Sequence, residues 1–399
     1  MKNELKLPFY LAFQSIRRGR KWTLILTIVL MAVAFINLIF VSALFNGIVQ
    51  GSNQQIINTL TGNVYMTPKQ GTDYINDKDK IIKTTENISG VKAATSSFQI
   101  PARIEYDSRT GRWPILAIKP TEYSKVINIS QKMESGSYLD NNDVDKIIIG
   151  KQIAGGKDVE LNSSSLKGIS VGDKVNVIFD NFEKIFTVKG IFYTKYIESD
   201  TRAFITEKAL NNISPIMTNK ATTINIKTIN NKENDVLKKV QLQNPSLEAY
   251  LWSEAAGMMK STSSSFASIN ALLTFVGVII ASVTTFIVIY VDIINRKRQI
   301  GILRAIGIKP YIIVSSYAII AAIYATLGIL LGSLIFQFVL VPYFIANPFE
   351  LPIADAVLNL TWFEYTARVE IVSWVAVISG IIPAILVTRT KMLDSIIGK

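Results

Sequence analysis

The chain has neither cysteine nor histidine in its 399 residues. Without thiols no disulfide framework can form, although an oxidising compartment stays open to the protein. Without imidazole the commonest general base and metal ligand near neutral pH is missing, which weighs against hydrolytic and metal-centred enzymes. Charge is absent over long stretches as well. No Asp, Glu, Lys or Arg occurs from Trp22 to Pro68, Ser261 to Val291, Pro310 to Phe349 or Ile371 to Thr388. With 49% hydrophobic residues and a positive mean hydropathy, such runs point to a bilayer, whose core takes about 20 apolar helical residues to cross.

Four spans are read, at 22–45, 269–294, 312–340 and 371–388, the last being the shortest and carrying Pro383. The first run is far longer than the roughly 7–15 apolar residues of a signal peptide, so an uncleaved anchor is expected. The formal charge of +12 is concentrated at Lys2–Lys21, Arg296–Lys309 and Arg389–Lys399. If the spans alternate, all three clusters fall on one side, which the positive-inside rule makes cytoplasmic. The opposite loop, 341–370, carries Glu350, Asp355 and Glu364 with Arg368 as its only base. Topology therefore accounts for much of the charge, and no nucleic-acid partner is expected. The plasma or inner membrane is the expected location, with both termini cytoplasmic. Residues 1–21 are read as an interfacial helix, with Pro8 near its start and Phe9, Phe13 and Ile16 on one face.

The expected fold is an α-helical membrane protein with four transmembrane helices and a mixed α/β extracytoplasmic domain inserted between helices 1 and 2, at residues 46–268. Strand-like runs occur at 62–67, 146–150, 174–179, 184–193, 202–206 and 222–229, with helices at Lys78–Asn87 and Glu233–Gln241. A β-rich insert is placed at about 134–193. The flanks at Asn46–Leu60 and Ser253–Ser268 are helix-compatible and polar, and read as stalks that carry the domain.

Two motifs fail on inspection. "GKQIAGGKD" (Gly150–Asp158) has glycines at the spacing of a phosphate loop, but Gly156 stands where lysine is required; no ATP site is found in the chain. "DNNDVD" (Asp140–Asp145) has the acids of a calcium loop without its mid-loop glycine or terminal glutamate. No catalytic, cofactor-binding or metal-binding residue is therefore assigned. In the third span Gly328 and Gly332 form GxxxG, a close-packing seam for a helix of this chain or of a second copy. The spans lack paired acids near their midplanes, which disfavours proton or sodium coupling.

The stretch "NRKRQIGILRAIGIKPYIIV" (Asn295–Val314) joins the second and third spans with five basic residues and no acid. It reads as a short amphipathic cytoplasmic helix at 295–311. At "RQIGILRAIGIKP" the chain resembles the MacB/FtsX/LolCE-type permeases of ATP-binding-cassette systems. Arg298, Ile300, Gly301, Leu303, Arg304, Ala305 and Gly307 match the usual "REIGILRAIG" run, and Gln299 departs from it. Phe45–Met66, the "IIIGKQIA", "VGDKVNV", "FTVKGIFYT" and "ESDTRAFI" runs, and "LWSE" resemble the lipoprotein-releasing LolC/LolE branch. The tail at 389–399 lacks the basic-Pro-x-Glu ending of relatives.

The resemblance implies a permease without its own ATP site. ATP and magnesium would be bound by two copies of a cytoplasmic ATPase. A second permease would complete a homodimer or heterodimer in the bilayer, and an extracytoplasmic protein partner is possible in this family. The 295–311 helix resembles the coupling helix that docks on the ATPase, with Ile300, Leu303 and Ile306 as apolar contacts, Arg298 and Arg304 as charged ones, and Gly301 and Gly307 allowing close approach. The implied activity is release or extrusion of a lipophilic substrate by mechanotransmission. The alternative is an FtsX-like regulator that activates a cell-wall hydrolase without transport.

Overall fold

The long uncharged runs become helices, and the segment between the first two becomes an α/β domain. A computed structural model describes residues 6–18, 21–156, 159–179, 182–255, 257–351 and 355–389. Lys157 and Asp158 of the glycine motif, and all of the expected tail but Arg389, lie outside the described residues. The chain divides into a helical unit (1–49, 263–349, 356–399) and an α/β unit (50–262, 350–355).

In chain order the elements begin with α1 (Lys6–Arg18), α2 (Lys21–Ile56), β1 (Val64–Pro68), α3 (Lys78–Glu86), β2 (Val91–Tyr106) and β3 (Arg109–Ile118). Next come α4 (Pro120–Tyr123), β4 (Met133–Gly136), β5 (Lys146–Gly150), α5 (Lys151–Ala154), β6 (Lys174–Phe179), β7 (Phe182–Phe192), α6 (Ile197–Asp200), β8 (Ala203–Thr206) and α7 (Glu207–Ile213). They end with β9 (Thr223–Thr228), α8 (Glu233–Gln243), β10 (Leu247–Leu251), α9 (Trp252–Ala255), α10 (Gly257–Asn295), α11 (Lys297–Ala305), α12 (Pro310–Ile335), α13 (Val341–Ala346) and α14 (Trp362–Arg389).

Among the described residues four helical stretches are long and apolar enough to cross a membrane: Lys21–Thr61, Ser268–Asn295, Pro310–Ala346 and Trp362–Thr388. The third run extends past the expected 340 through a π-turn at Phe336–Leu340 into α13. Pro342 explains the slip: it has no N–H to donate back one turn, so the hydrogen-bond register widens just before it. The fourth helix starts at Trp362, ahead of the expected 371, because "TWFE" is a capping box. Glu364 N donates to Thr361 Oγ1 and Thr361 N to Glu364 Oε2, both at 3.3 Å.

The ten-stranded mixed sheet runs β10-β1-β9-β2-β3-β8-β5-β7-β4, with β6 beside β2 and β7. The expected insert at 134–193 thus contributes β4 to β7 to the same sheet. β5 shows why an unbroken apolar run forms a central strand. Ile147 and Ile149 join one buried cluster with Phe186 and Val175, while Ile148 joins another with Tyr123, Phe192 and Phe204. Both faces are covered, and each buried Ile stabilises by roughly 1.5–3 kcal/mol.

The β2–β3 hairpin was not among the expected strands. Its turn is two residues long, Asp107 having φ +54°, and Pro101 lies opposite Pro114. On the side away from β3, β2 pairs with β9 up to Ser97 and with β6 from Arg103. Gln99 N donates to Thr222 Oγ1 on that side, so two residues on, Pro101 turns its missing donor into the gap between partners. That placement makes a proline tolerable in a strand.

Candidate functional site

The link between the second and third spans folds as expected of an amphipathic segment, and its punctuation is readable residue by residue. α10 ends at Asn295, Arg296 caps α11, and α11 runs from Lys297 to Ala305. It stops in a Schellman motif: Ile308 N bonds Leu303 O at 3.1 Å, and Gly307 N bonds Arg304 O at 3.0 Å. Gly307 sits at φ +92° with no heavy atom within 4 Å of where a Cβ would be. Within this chain its role is therefore conformational. Pro310 then opens α12 at a position where a missing N–H costs nothing.

The faces of α11 do not fall where the sequence reading put them. Ile300 is 3% exposed and shares a buried cluster with Ile289, Ile293, Ile313 and Tyr317, with Leu303 and Ile308 packed against it. Gly301 is buried as well. Of the three apolar contacts named from the sequence, only Ile306 faces outward, 71% exposed. Ile302, which was not named, joins it at 48%, with Arg298 and Ala305 exposed on the same face and Arg304 half-buried. The outward set 298, 302, 305 and 306 follows helical spacing.

An ion pair missed by the sequence reading anchors the root of this helix. Arg296 Nε lies 3.1 Å from Asp292 Oδ1, one turn back on α10. Arg296 Nη1 donates to the Ser15 carbonyl at 2.9 Å and to the Ser15 hydroxyl, so α1 is tied to the same point. The available signal was Asp292 alone, an acid four residues before Arg296 in the last turn of a span. Beside this pair is a cavity of about 490 Å³ formed by α1, the first turn of α2, the end of α10, α11 and the start of α12.

Gly328 and Gly332 lie on α12 against α2 of the same chain. A Cβ on Gly328 would stand 2.5 Å from Met31 Cβ, and one on Gly332 3.0 Å from Ala32 O. Such distances mark a backbone-to-backbone approach that larger residues would block. Elsewhere in the helical unit, Arg368 of α14 donates from Nη2 to Ser42 Oγ at 2.9 Å and Thr274 Oγ1 at 3.3 Å.

In the α/β unit the two discarded motifs have ordinary partners. Lys189 Nζ bridges Asp140 at 2.6 Å and Asp143 at 2.7 Å, and Gly155 and Gly156 take φ +78° and +132° in a turn after α5. No group of three or more His, Cys, Asp or Glu side chains is placed to hold a metal among the described residues. One buried carboxyl, Asp200 at the end of α6, stands out. Its Oδ1 accepts from Thr194 N at 2.8 Å and Thr194 Oγ1 at 2.9 Å, while Oδ2 has no partner. Burial pushes its pKa up to about 7, against those hydrogen bonds, and Glu160 adds to the rise. The neighbouring Ser199 hydroxyl is 2.9 Å from Thr59 Oγ1, in the π-turn at Ile57–Thr61.

Four apolar helices, with an α/β domain between the first two in sequence, mark a multi-pass membrane protein. Residues 24–240 match the profile of the MacB-like periplasmic core domain, and residues 271–392 that of the FtsX-like permease C-terminal domain. The chain belongs to the MacB/FtsX-like family of ABC permeases, which work with ABC ATPase partners. Among solved structures it is similar to the periplasmic region of MacB from Actinobacillus actinomycetemcomitans, with 12% identity, a TM-score of 0.35, and coverage of 51% of this chain and 95% of that one. It is also similar to the extracellular domain of the ABC-type transporter YknZ from Gram-positive bacteria, with 13% identity, a TM-score of 0.34, and coverage of 47% and 97%. No curated protein matches the chain.

Proposed function

We propose that this permease couples ATP hydrolysis by a separate cytoplasmic subunit to motion of its α/β domain, releasing or extruding a lipophilic substrate such as a lipoprotein, lipid or peptide. α11 is the contact with that ATPase, on the cytoplasmic side where the basic clusters concentrate. The observation that carries the reading is the division of α11 into two faces. Ile300 and Leu303 pack inward, while Ile302 and Ile306 stay exposed beside Arg298. An exposed isoleucine pair on a basic helix suits a partner with an apolar groove rimmed by acids. The LolC/LolE-like runs support a lipid-linked cargo.

The test is purification of the full chain from native membranes in mild detergent, with mass spectrometry of what accompanies it. Ile306→Asp should cut retention of the ATPase at least about tenfold, the loss of one apolar anchor in an interface core. Ile216→Asp, at a residue of the α/β unit that is 73% exposed, should leave it unchanged. Equal retention by wild type and Ile306→Asp would sink the coupling assignment. Recovery of a peptidoglycan hydrolase with the ATPase, and no lipid-linked cargo, would instead favour the regulator.

A further inference from the structure

The cavity behind α11 has a composition and position that the coupling role does not use. It is lined by Arg18, Arg296, Gln14, Ser15, Gln299 and Asp292 among others. Arg18 and Arg296 against Asp292 leave a net positive charge. Arg296 spends Nε on Asp292 and Nη1 on Ser15, and its Nη2 has no acceptor among the described residues. A guanidinium is a rigid fork of five N–H donors suited to phosphate oxygens, so this one is only partly satisfied. Its side chain is 16% exposed and lines the cavity.

Position says which anion would come. The cavity lies where α2 and α12 begin and α10 ends, at the margin of the apolar slab those helices define. α1, which forms one wall, exposes Phe9, Tyr10 and Phe13, and Trp22 is exposed at the start of α2. Exposed aromatics beside basic residues mark the headgroup layer of a membrane. A volume of about 490 Å³ is within the range of small-molecule sites, and basic pockets between helices at this depth take anionic headgroups.

We propose that this cavity binds the phosphate headgroup of an anionic phospholipid, with Arg18 and the Arg296 Nη2 as phosphate ligands and Gln14 and Gln299 as polar walls. The bound lipid joins α1 to α11, whether or not an ATPase occupies the outer face of that helix. The full chain in detergent is titrated with phosphatidylglycerol and, separately, phosphatidylcholine, and lipid retained per chain is read by native mass spectrometry. Phosphatidylglycerol should be retained in preference to phosphatidylcholine. Arg18→Gln should weaken it about tenfold, the loss of one charge-assisted contact. Arg18→Lys should restore part of the loss, and Arg17→Gln, at an exposed residue outside the cavity lining, should change nothing. Equal retention of the two lipids, or equal binding by wild type and Arg18→Gln, overturns the proposal. Displacement of the lipid by millimolar inorganic phosphate would assign the site to free phosphate and overturn the lipid assignment. Arg296 is left intact throughout, since removing it would strand Asp292 and confound loss of binding with loss of folding.

Discussion

Replacing Asp200 with Asn should remove a pH dependence of stability that the α/β unit carries by construction. The carboxyl is fully buried, and desolvation lifts its pKa from 3.8 to about 7 despite the Thr194 hydrogen bonds. A raised folded-state pKa means that the folded protein binds more protons than the unfolded chain between those two values. Stability from this group is therefore full below about pH 4, falls as pH rises, and levels off above about pH 7. The gap between 3.8 and about 7 corresponds to on the order of 4 kcal/mol at about 1.4 kcal/mol per pH unit. Roughly 3 kcal/mol of that lies between pH 5 and 8. Asn keeps the Oδ1 acceptor for Thr194 and puts a neutral amide where Oδ2 has no partner. Hydrogen exchange of peptides spanning 192–203 in the full chain, corrected for intrinsic rates, reads the local effect. Wild type should lose protection from about pH 5 to about pH 8, and Asp200→Asn should stay flat and be the better protected at the upper end. The same slope in both proteins would refute the assignment of the titration to Asp200.

Two further substitutions test close approaches. Gly328→Ala would put its Cβ 2.5 Å from Met31 Cβ, against about 3.5–4.0 Å for ordinary carbon contact. Parting α2 from α12 should cost about 1–3 kcal/mol, partly offset by about 1 kcal/mol of helix propensity, so detergent unfolding should show net destabilisation; a variant as stable as wild type would remove the packing role. Gly150→Ala would meet the Asp200 carbonyl oxygen at 2.1 Å, a backbone atom that cannot swing aside. That variant should lose ~3 kcal/mol or more, and recovery of normal, monodisperse protein at wild-type yield would contradict the placement of β5 against α6.

The legible parts of the fold were those where local pattern and burial agree. "KIIIG" read as a strand because both its faces are covered. "KVNVIF" read as one because Val175, Val177 and Phe179 alternate inward. β2 escaped because "VKAATSSFQIPARIEY" mixes small, polar and proline residues, and what makes it a strand is pairing with three neighbours, two of them far along the chain. The start of α14 was written in "TWFE" but was hidden by a search for unbroken apolar residues, since Glu364, Arg368 and Glu370 all lie inside the helix. Asp292 lies inside the span read at 269–294, and a lone acid near the end of an apolar run gives no sign by itself of being half of an ion pair.

The faces of α11 could not have been read from its own residues. Ile300, Ile302, Leu303, Ile306 and Ile308 put apolar groups around most of the helix, so amphipathicity alone names no inner side. Tertiary packing chooses: Ile300 enters the cluster with Ile313 and Tyr317, Leu303 packs against it, and Ile302 and Ile306 remain outside. The consequence for coupling is mechanical. With the inner face in the core, Arg296 tied to Asp292 and Ser15, and the far end closed by the Schellman bonds, α11 is fixed to α10 and α12 rather than hung on a loose loop. In the proposed mechanism a push on Ile306 is passed directly to two spans. Leu303→Asp and Ile306→Asp should then fail differently. A charge in the place of Leu303 is driven against the apolar cluster, where an unpaired carboxylate is costly, and should lower the thermal stability of the helical unit. Ile306→Asp should fold as wild type and lose only the partner. If both variants unfold alike, or both keep the ATPase, the division of α11 into a structural and a contact face is wrong.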